Sequence, residues 1–128
     1  MKQSIVNLPL KELARLYLES LKQLKKDLKI IENCNRVAIN GKKKIPFDFI
    51  MKDEATGEII GVRVKDWKRV IGVNVIHQFA RDIEKAGLSY GILIGSDFSR
   101  IGTERKNENI ILLSRGEIIS YLRSLGYD

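Results

Sequence analysis

The sequence predicts an α/β domain in which a central mixed sheet of about five strands is flanked by helices. Three observations predict this class: helical periodicity near the start of the chain, five short apolar runs after it, and two further amphipathic segments. The 128 residues are enough for one domain with its own core. We therefore expect a single domain over residues 1–128.

The first predicted element is a long amphipathic helix. Its apolar residues recur at steps of three and four, Asn7 can cap it, and Pro9 suits its first turn. Lysines, with Lys11 among them, occupy the opposite face and are expected to point into solvent. We assign residues 1–31 to this N-terminal helix. Its apolar face consists of Leu10, Leu13, Tyr17, Leu21, Leu24, Leu28 and Ile31.

Five apolar runs separated by polar or glycine-containing segments predict the strands. The second and third runs read as a hairpin over residues 45–64, with Pro46 at its start, where a strand tolerates proline. Asn33-Cys34-Asn35 interrupts the pattern before the first run, and Asn40-Gly41 marks a turn after it. The predicted strands cover residues 36–39, 45–51, 59–64, 90–94 and 110–113.

Two more helices complete the prediction. Gly72 opens the first of them, which ends near Ala86-Gly87, and the second covers residues 117–125. The helix after residue 72 links two strands, so we expect a right-handed crossover between them.

The charge of the chain favours a polyanionic partner. Lys and Arg number 23 against 16 Asp and Glu, which gives a formal net charge of +7. A surface rich in both charges, as in thermophilic proteins, is the alternative. One cysteine, Cys34, and one histidine, His77, exclude an internal disulfide and a Cys/His zinc site within one chain. No apolar run reaches the roughly 18 residues of a membrane span, so we expect a cytoplasmic protein with no membrane partner.

Asp48 stands out because it interrupts an apolar strand between Phe47 and Phe49. A buried carboxylate without a partner is costly, so Asp48 should face a cleft or meet a cation. Lys65 ends the following strand of the same hairpin. Such a pair can hold a divalent cation and orient water for attack on a phosphodiester. A simple cross-strand ion pair is the alternative.

The order of motifs around these residues resembles the Mrr-type branch of the PD-(D/E)XK nucleases, with similarity to archaeal Holliday-junction-resolvase-type nucleases. The resemblance covers about residues 35–125 and implies a restriction-endonuclease-like fold. The motifs that carry it are Pro46-Phe47-Asp48, Val62-Arg63-Val64-Lys65, Trp67, Ile71-Gly72-Val73, Val75-Ile76-His77-Gln78-Phe79-Ala80, Tyr90-Gly91-Ile92-Leu93-Ile94, Ser96-Asp97-Phe98-Ser99 and Ile110-Ile111-Leu112-Leu113.

This resemblance implies that Asp48 ligates Mg²⁺, that Lys65 is the catalytic lysine, and that Gln78 is the helix glutamine near the site. Where the family has its second acid, this chain has Arg63, a permanent cation without an acceptor atom. Some family members use a glutamate of the first helix as a metal ligand. Glu19 is our preferred replacement here, and Glu12 and Glu32 are alternatives. In a further alternative, the Arg63 guanidinium pairs with Asp48 and fills the metal position.

Basic residues on either side of Asp48 predict a nucleic-acid-binding surface. Trp67 either packs under its turn or stacks on a base, and the residues around Ser96 and Ser99 form either a turn or a phosphate contact. The predicted binding residues are Lys42, Lys43, Lys44, Arg63, Trp67, Lys68, Arg69, Ser96, Ser99 and Arg100.

Three functions remain open at this stage. We favour a DNA-binding protein on a nuclease-like fold with an altered metal site. The alternatives are an active Mg²⁺-dependent DNA endonuclease and a basic assembly protein without a nucleic-acid function. The expected partner is duplex or branched DNA, and a homodimer would suit the bridging of two strands.

Overall fold

The structure, a computed structural model, describes residues 4–128. After a short 3-10 turn at Ile5–Asn7, the elements in chain order are α1 (Leu10–Leu24), β1 (Leu28–Val37), β2 (Lys44–Asp53), β3 (Ile59–Lys65), α2 (Val73–Lys85), β4 (Tyr90–Gly95), α3 (Arg100–Glu104), β5 (Ile110–Ser114) and α4 (Arg115–Ser124). Within this part of the chain, no helix is both long and apolar enough to cross a membrane.

The strands form one mixed sheet in the order β1-β2-β3-β4-β5. The pairs β1–β2 and β2–β3 are antiparallel, whereas β3–β4 and β4–β5 are parallel. This confirms the predicted α/β class with a mixed sheet of about five strands flanked by helices. Because β3 runs antiparallel to β2, the carboxyl ends of β3, β4 and β5 lie at the same edge of the sheet as the start of β2.

Two apolar cores lie on opposite faces of this sheet. Helices α1 and α4 cover one face, here called the α1 face, and helix α2 covers the other, the α2 face. The α1-face core includes Leu10, Leu13, Leu18, Phe49, Met51, Val62, Ile118 and Leu122. The α2-face core includes Ile45, Phe47, Ile71, Ile76, Phe79, Ile83, Leu93 and Ile110.

The predicted N-terminal helix is too long at its carboxyl end. Helix α1 ends at Leu24, and Lys25 already has extended backbone angles, with φ −130° and ψ 96°. The apolar spacing of Leu28 and Ile31 continued the helical pattern, but these residues belong to β1, where Leu28 pairs with Asp53. The ladder with β2 satisfies backbone groups that a longer helix would have satisfied internally, and this tertiary pairing overrides the local periodicity. Pro9, not Asn7, occupies the N-cap position, and residues 1–3 of the predicted helix lie outside the described residues.

The first strand begins earlier than predicted. It covers Leu28–Val37 rather than residues 36–39, and it includes the Asn33-Cys34-Asn35 segment that was predicted to break the pattern. Asparagine is a weak strand former, but nine register pairs with β2 outweigh that preference. Asn33 has a φ of 49°, a conformation that asparagine adopts more readily than most residues.

The later helices begin close to their predicted positions. Gly72 is the N-cap of α2, as expected. Helix α4 begins two residues earlier than predicted, because Ser114 and Glu117 form a capping box in which each side chain accepts from the other residue's backbone N–H.

The regular alternation of side chains between the two faces of the sheet is interrupted in β2 at Asp48. Phe47 and Phe49 are two residues apart and would share a face in a regular strand. Instead, Phe47 packs in the α2-face core and Phe49 in the α1-face core. The pairing with β1 lacks the step between Asn33 and Asp48, with Glu32 opposite Phe49 and Cys34 opposite Phe47. This local irregularity sets the position of the Asp48 carboxylate.

Candidate functional site

Asp48 lies where β2 and β3 separate. Their pairing runs from Lys52↔Ile59 to Phe49↔Val62 and stops just before Asp48. Beyond that point, the Asp48 carboxylate takes the place of a strand acceptor, because its Oδ2 accepts a hydrogen bond from the Val64 backbone N–H at 2.7 Å. The carboxylate therefore closes the end of the hairpin ladder.

Among residues 4–128, the cation nearest to this carboxylate is Lys11, in the first turn of α1. Its Nζ lies 3.6 Å from Asp48 Oδ1 and donates a hydrogen bond to Asn33 Oδ1 at 2.6 Å. The same ammonium lies 5.9 Å from the centroid of the Phe49 ring. Asp48 was expected to face a cleft or to meet a cation, and here it has a cationic partner, which comes from a helix and not from the neighbouring strand.

Arg63 does not face Asp48. Its Nη1 donates to Asp82 Oδ2 at 2.7 Å, and its Nη2 donates to the Pro46 carbonyl at 2.9 Å. The guanidinium carbon lies 5.2 Å from the ring centroids of both Phe47 and Phe79. The predicted alternative in which Arg63 pairs with Asp48 is therefore wrong.

The physical reason is the direction of the two side chains. Arg63 extends towards α2, where Asp82 lies, whereas the Asp48 carboxylate contacts a residue of α1. Because the Asp82 partner is only 16% exposed and Arg63 13%, the pair is well shielded from water.

Asp48 and Lys65 share one open cleft of about 340 Å³ at the end of the hairpin. No hydrogen bond or salt bridge between these two side chains is found among residues 4–128, so a simple cross-strand ion pair is not what joins them. The residues that line the cleft are Asn33, Asn35, Pro46, Phe47, Asp48, Arg63, Val64 and Lys65.

Trp67 follows Lys65 and packs beneath a basic turn. Its half-buried ring contacts the α2-face core, and the Arg69 guanidinium and the Lys65 ammonium lie 4.5 Å and 5.3 Å from the ring. Ser96 Oγ donates to the Trp67 carbonyl at 2.6 Å and so ties this turn to the end of β4. The packing interpretation of Trp67 agrees with these contacts. The predicted role of Ser96 in DNA binding stays a prediction, and its hydroxyl here serves the turn.

Gln78 lies on α2 beside the cleft. It lines a smaller cavity of about 180 Å³ together with Arg63 and Lys65. Its Nε2 donates to Asp82 Oδ1 at 3.0 Å, and its Oε1 accepts from Arg81 at 2.9 Å. Gln78 thus supports the carboxylate that holds Arg63, while its role in catalysis stays a prediction.

The other predicted binding residues are spread along the same edge of the sheet. Lys42 and Lys43 are exposed in the β1–β2 turn, Lys44 is exposed at the start of β2, and Lys68 is exposed beside Trp67. Ser99 caps α3 by accepting from the Gly102 N–H at 3.0 Å, and Arg100 pairs with Glu104. Ser99 and Arg100 are therefore engaged within their own helix in this structure.

The three glutamates considered as metal ligands do not join Asp48. Glu19 is exposed on α1, eight residues beyond Lys11, which is about 12 Å along a helix axis. Glu12 and Glu32 both pair with Arg15. The hydrogen bond from Arg15 lowers the pKa of Glu32, which keeps this carboxyl ionised and bound to the guanidinium.

The side chains of the cleft do not fit a Mg²⁺ ion. Magnesium prefers carboxylates and other oxygen ligands, but Asp48 is the one acid lining this cleft, and its two oxygens face Lys11 and the Val64 N–H. Arg63 and Lys65 add further positive charge. Across residues 4–128, no group of three His, Cys, Asp or Glu side chains is arranged to hold a metal ion.

Sequence reasoning missed the roles of Lys11, Asn33 and Asp82. Lys11 follows the solvent-facing pattern of an amphipathic helix, so its contact with β1 and β2 depends on how α1 packs. Asn33 belongs to the Asn33-Cys34-Asn35 segment, which the sequence predicts to lie outside the first strand. No sequence signal points to Asp82, because its contact with Arg63 depends on how α2 packs on the sheet.

The fold and the cleft together define an α/β protein of restriction-endonuclease-like architecture. The family model described as Mrr_cat, restriction endonuclease, matches residues 11–122. The chain therefore belongs to the Mrr_cat restriction endonuclease family, which confirms the predicted resemblance.

One solved structure shares the overall fold. The chain is similar to the crystal structure of a protein of unknown function, AF1548, with a TM-score of 0.59 and 10% identity over 87% of this chain and 66% of that one. It is also similar to the DNA modification-dependent restriction endonuclease AspBHI, with a TM-score of 0.48 and 14% identity over 98% of this chain and 39% of that one. The chain thus spans less than two thirds of either neighbour. No curated protein sequence matches it.

Proposed function

We propose that this chain is a DNA-binding protein whose nuclease-like fold carries an altered metal site. The observation that carries the proposal is the contact between Lys11 and Asp48, 3.6 Å apart. An ammonium group beside the one carboxylate of the cleft opposes a divalent cation by direct repulsion. Membership of the restriction endonuclease family supports a DNA-related role, and an altered metal site would predict binding without cleavage.

The charge around the cleft supports DNA as the partner. The chain carries a formal net charge of +7, and exposed lysines of the β1–β2 turn and basic residues beside Trp67 lie at the sheet edge that holds Asp48. Cationic side chains of this kind neutralise phosphates and release condensed counterions, which gives an affinity that falls steeply with salt. Duplex and branched DNA are the substrates to compare. The homodimer and the cytoplasmic location expected from the sequence stay predictions.

An active Mg²⁺-dependent endonuclease is the second candidate. The observation that favours it is that Asp48 and Lys65, the residues that match the family motif, line the same cleft. In this alternative, Lys11 and the Asp48 carboxylate separate when DNA binds, and oxygen ligands from elsewhere complete the metal site.

A combined binding and cleavage assay tests both candidates. Labelled duplex and four-way-junction DNA are titrated with the protein at several salt concentrations, and the products after incubation with Mg²⁺ or Mn²⁺ are separated on a denaturing gel. We expect salt-dependent binding and uncut DNA. Cleavage that is lost in both Asp48→Asn and Lys65→Ala, with binding retained, would establish the endonuclease. Failure to bind DNA or RNA at low salt would favour the basic assembly protein.

A further inference from the structure

We propose that Lys11 takes the place of the divalent cation in this cleft and binds a backbone phosphate of DNA. The inference rests on the proposed function and specifies how the altered site makes contact with its ligand. It follows from the mismatch between the cleft and Mg²⁺. An acidic cleft would need a metal to bridge protein and phosphate, but here an ammonium group already lies beside the cleft carboxylate Asp48.

The geometry of Lys11 leaves the ammonium free to bind a further group. A lysine ammonium has three N–H donors. One donates to Asn33 Oδ1 at 2.6 Å, and the ammonium also forms an ion pair with Asp48 Oδ1 at 3.6 Å. The Lys11 side chain is 37% exposed, and we infer that its third donor is open to a ligand oxygen.

Asn33 and Asp48 hold this ammonium in one position. Asn33 adopts its positive φ of 49° at the step where the β1–β2 pairing is interrupted, and Asp48 is fixed by its hydrogen bond to the Val64 N–H. A cation held by two anchored oxygens loses less side-chain freedom on binding than an ordinary surface lysine does. Lys11 therefore acts as a positioned charge.

The remaining charges of the cleft favour an anion over a metal ion. Lys65 lines the cleft together with Asp48, and its ammonium lies 5.3 Å from the centroid of the Trp67 ring. The charge of Arg63 is balanced by Asp82, and that of Asp48 by Lys11. Lys65 consequently leaves an excess positive charge at the cleft, which favours a phosphate over a metal ion beside Asp48 and Lys11.

The test measures DNA affinity against salt for Lys11→Met, with Lys22→Met as the matched control. Lys22 is exposed on the same helix, and the substitution removes the same charge. We expect Lys11→Met to reduce the magnitude of the slope of log K against log salt by about 0.9, the amount due to one phosphate contact. Lys22→Met should leave the slope near that of the wild type.

A second comparison separates phosphate binding from simple neutralisation of Asp48. In an Asp48→Asn background, the carboxylate charge is absent, so any role of Lys11 in neutralising it is removed. We expect Lys11→Met to lower the slope by about 0.9 in this background as well. An unchanged slope there would show that Lys11 only balances Asp48, and the inference would be overturned.

The metal dependence of binding gives an independent outcome. Wild-type affinity should not rise when EDTA is replaced by Mg²⁺, because the cation needed in the cleft is already present. A rise that disappears in Asp48→Asn would overturn the inference while leaving DNA binding intact. Absence of DNA binding by the wild-type protein would instead defeat the proposed function, so the two failures are distinguishable.

Discussion

Arg63 and Asp82 form an ion pair beside the cleft, with Nη1 2.7 Å from Oδ2 and the side chains 13% and 16% exposed. The guanidinium also lies near two phenylalanine rings and donates to the Pro46 carbonyl. The pair joins β3 to α2 and leaves Arg63 with little freedom to contact a ligand. Arg63 is therefore a structural residue of the cleft wall, although the motif resemblance predicts a metal ligand at its position.

Arg63→Met should lower the free energy of unfolding by about 3 kcal/mol, because removal of one partner leaves the shielded Asp82 carboxylate without its cation. Urea denaturation followed by circular dichroism measures the change. Arg81→Met, on the exposed side of α2, is the control and should cost less than about 0.5 kcal/mol. Equal stability of Arg63→Met and the wild type would mean that the ion pair contributes nothing to the fold.

Lys11→Glu should create a divalent-metal site, because it replaces the cation beside Asp48 with a second carboxylate. We expect Mn²⁺ at ten times its dissociation constant to stabilise this variant by about 1.4 kcal/mol and to leave the wild type unchanged. Thermal unfolding with and without Mn²⁺ provides the measurement, and Lys22→Glu is the control for added negative charge. Stabilisation of the wild type by the same amount would contradict the conclusion that the cleft does not fit a metal.

The free energy of unfolding should depend on pH through Asp53, the last residue of β2. Its carboxylate is 4% exposed, and the hydrogen bond from Lys25 lowers the pKa of Asp53 below its ordinary value. A carboxyl whose pKa is lower in the folded state stabilises the protein above its unfolded pKa, and that contribution disappears as the pH falls through the folded pKa. The difference in unfolding free energy between the wild type and Asp53→Asn should therefore be full at neutral pH and should shrink below about pH 4. A difference that stays constant from pH 7 to pH 2 would exclude this linkage.

Lys42→Ala combined with Lys43→Ala should weaken DNA binding without affecting the fold. Both side chains are exposed in the β1–β2 turn, and the loss of two phosphate contacts lowers the magnitude of the salt slope by up to about 1.8. The matched control replaces Lys22 and Lys26, two exposed lysines away from the cleft. Equal losses in the two double variants would show that binding follows total charge and does not follow this surface.

The architecture could be predicted from the sequence because apolar runs, turn signals and helical periodicity agreed with one another. The boundary between α1 and β1 could not. Leu24, Leu28 and Ile31 continue the helical spacing, yet Leu24 is 73% exposed, and the other two residues lie in a strand. The deciding interaction is the pairing of β1 with β2, which joins residues far apart in the chain.

The sequence predicted where the candidate site lies more accurately than it predicted which side chains contact each other there. Asp48 and Lys65 do line one cleft, as the hairpin implied. The partner of Asp48 was not predictable from strand alternation, because β2 changes face at that residue and because Lys11 approaches from a helix. Likewise, Asp82 follows Arg63 by 19 positions, and only the packing of α2 on the sheet brings them together.

The Val64 N–H donates a hydrogen bond to Asp48 Oδ2 at 2.7 Å. The carboxylate therefore has a structural role that does not depend on catalysis. It terminates a ladder that would otherwise leave a backbone donor unsatisfied. An aspartate here is thus useful to a chain that cuts DNA and to one that only binds it. Its presence alone does not diagnose a nuclease, and the residue that α1 places opposite it is the more informative position.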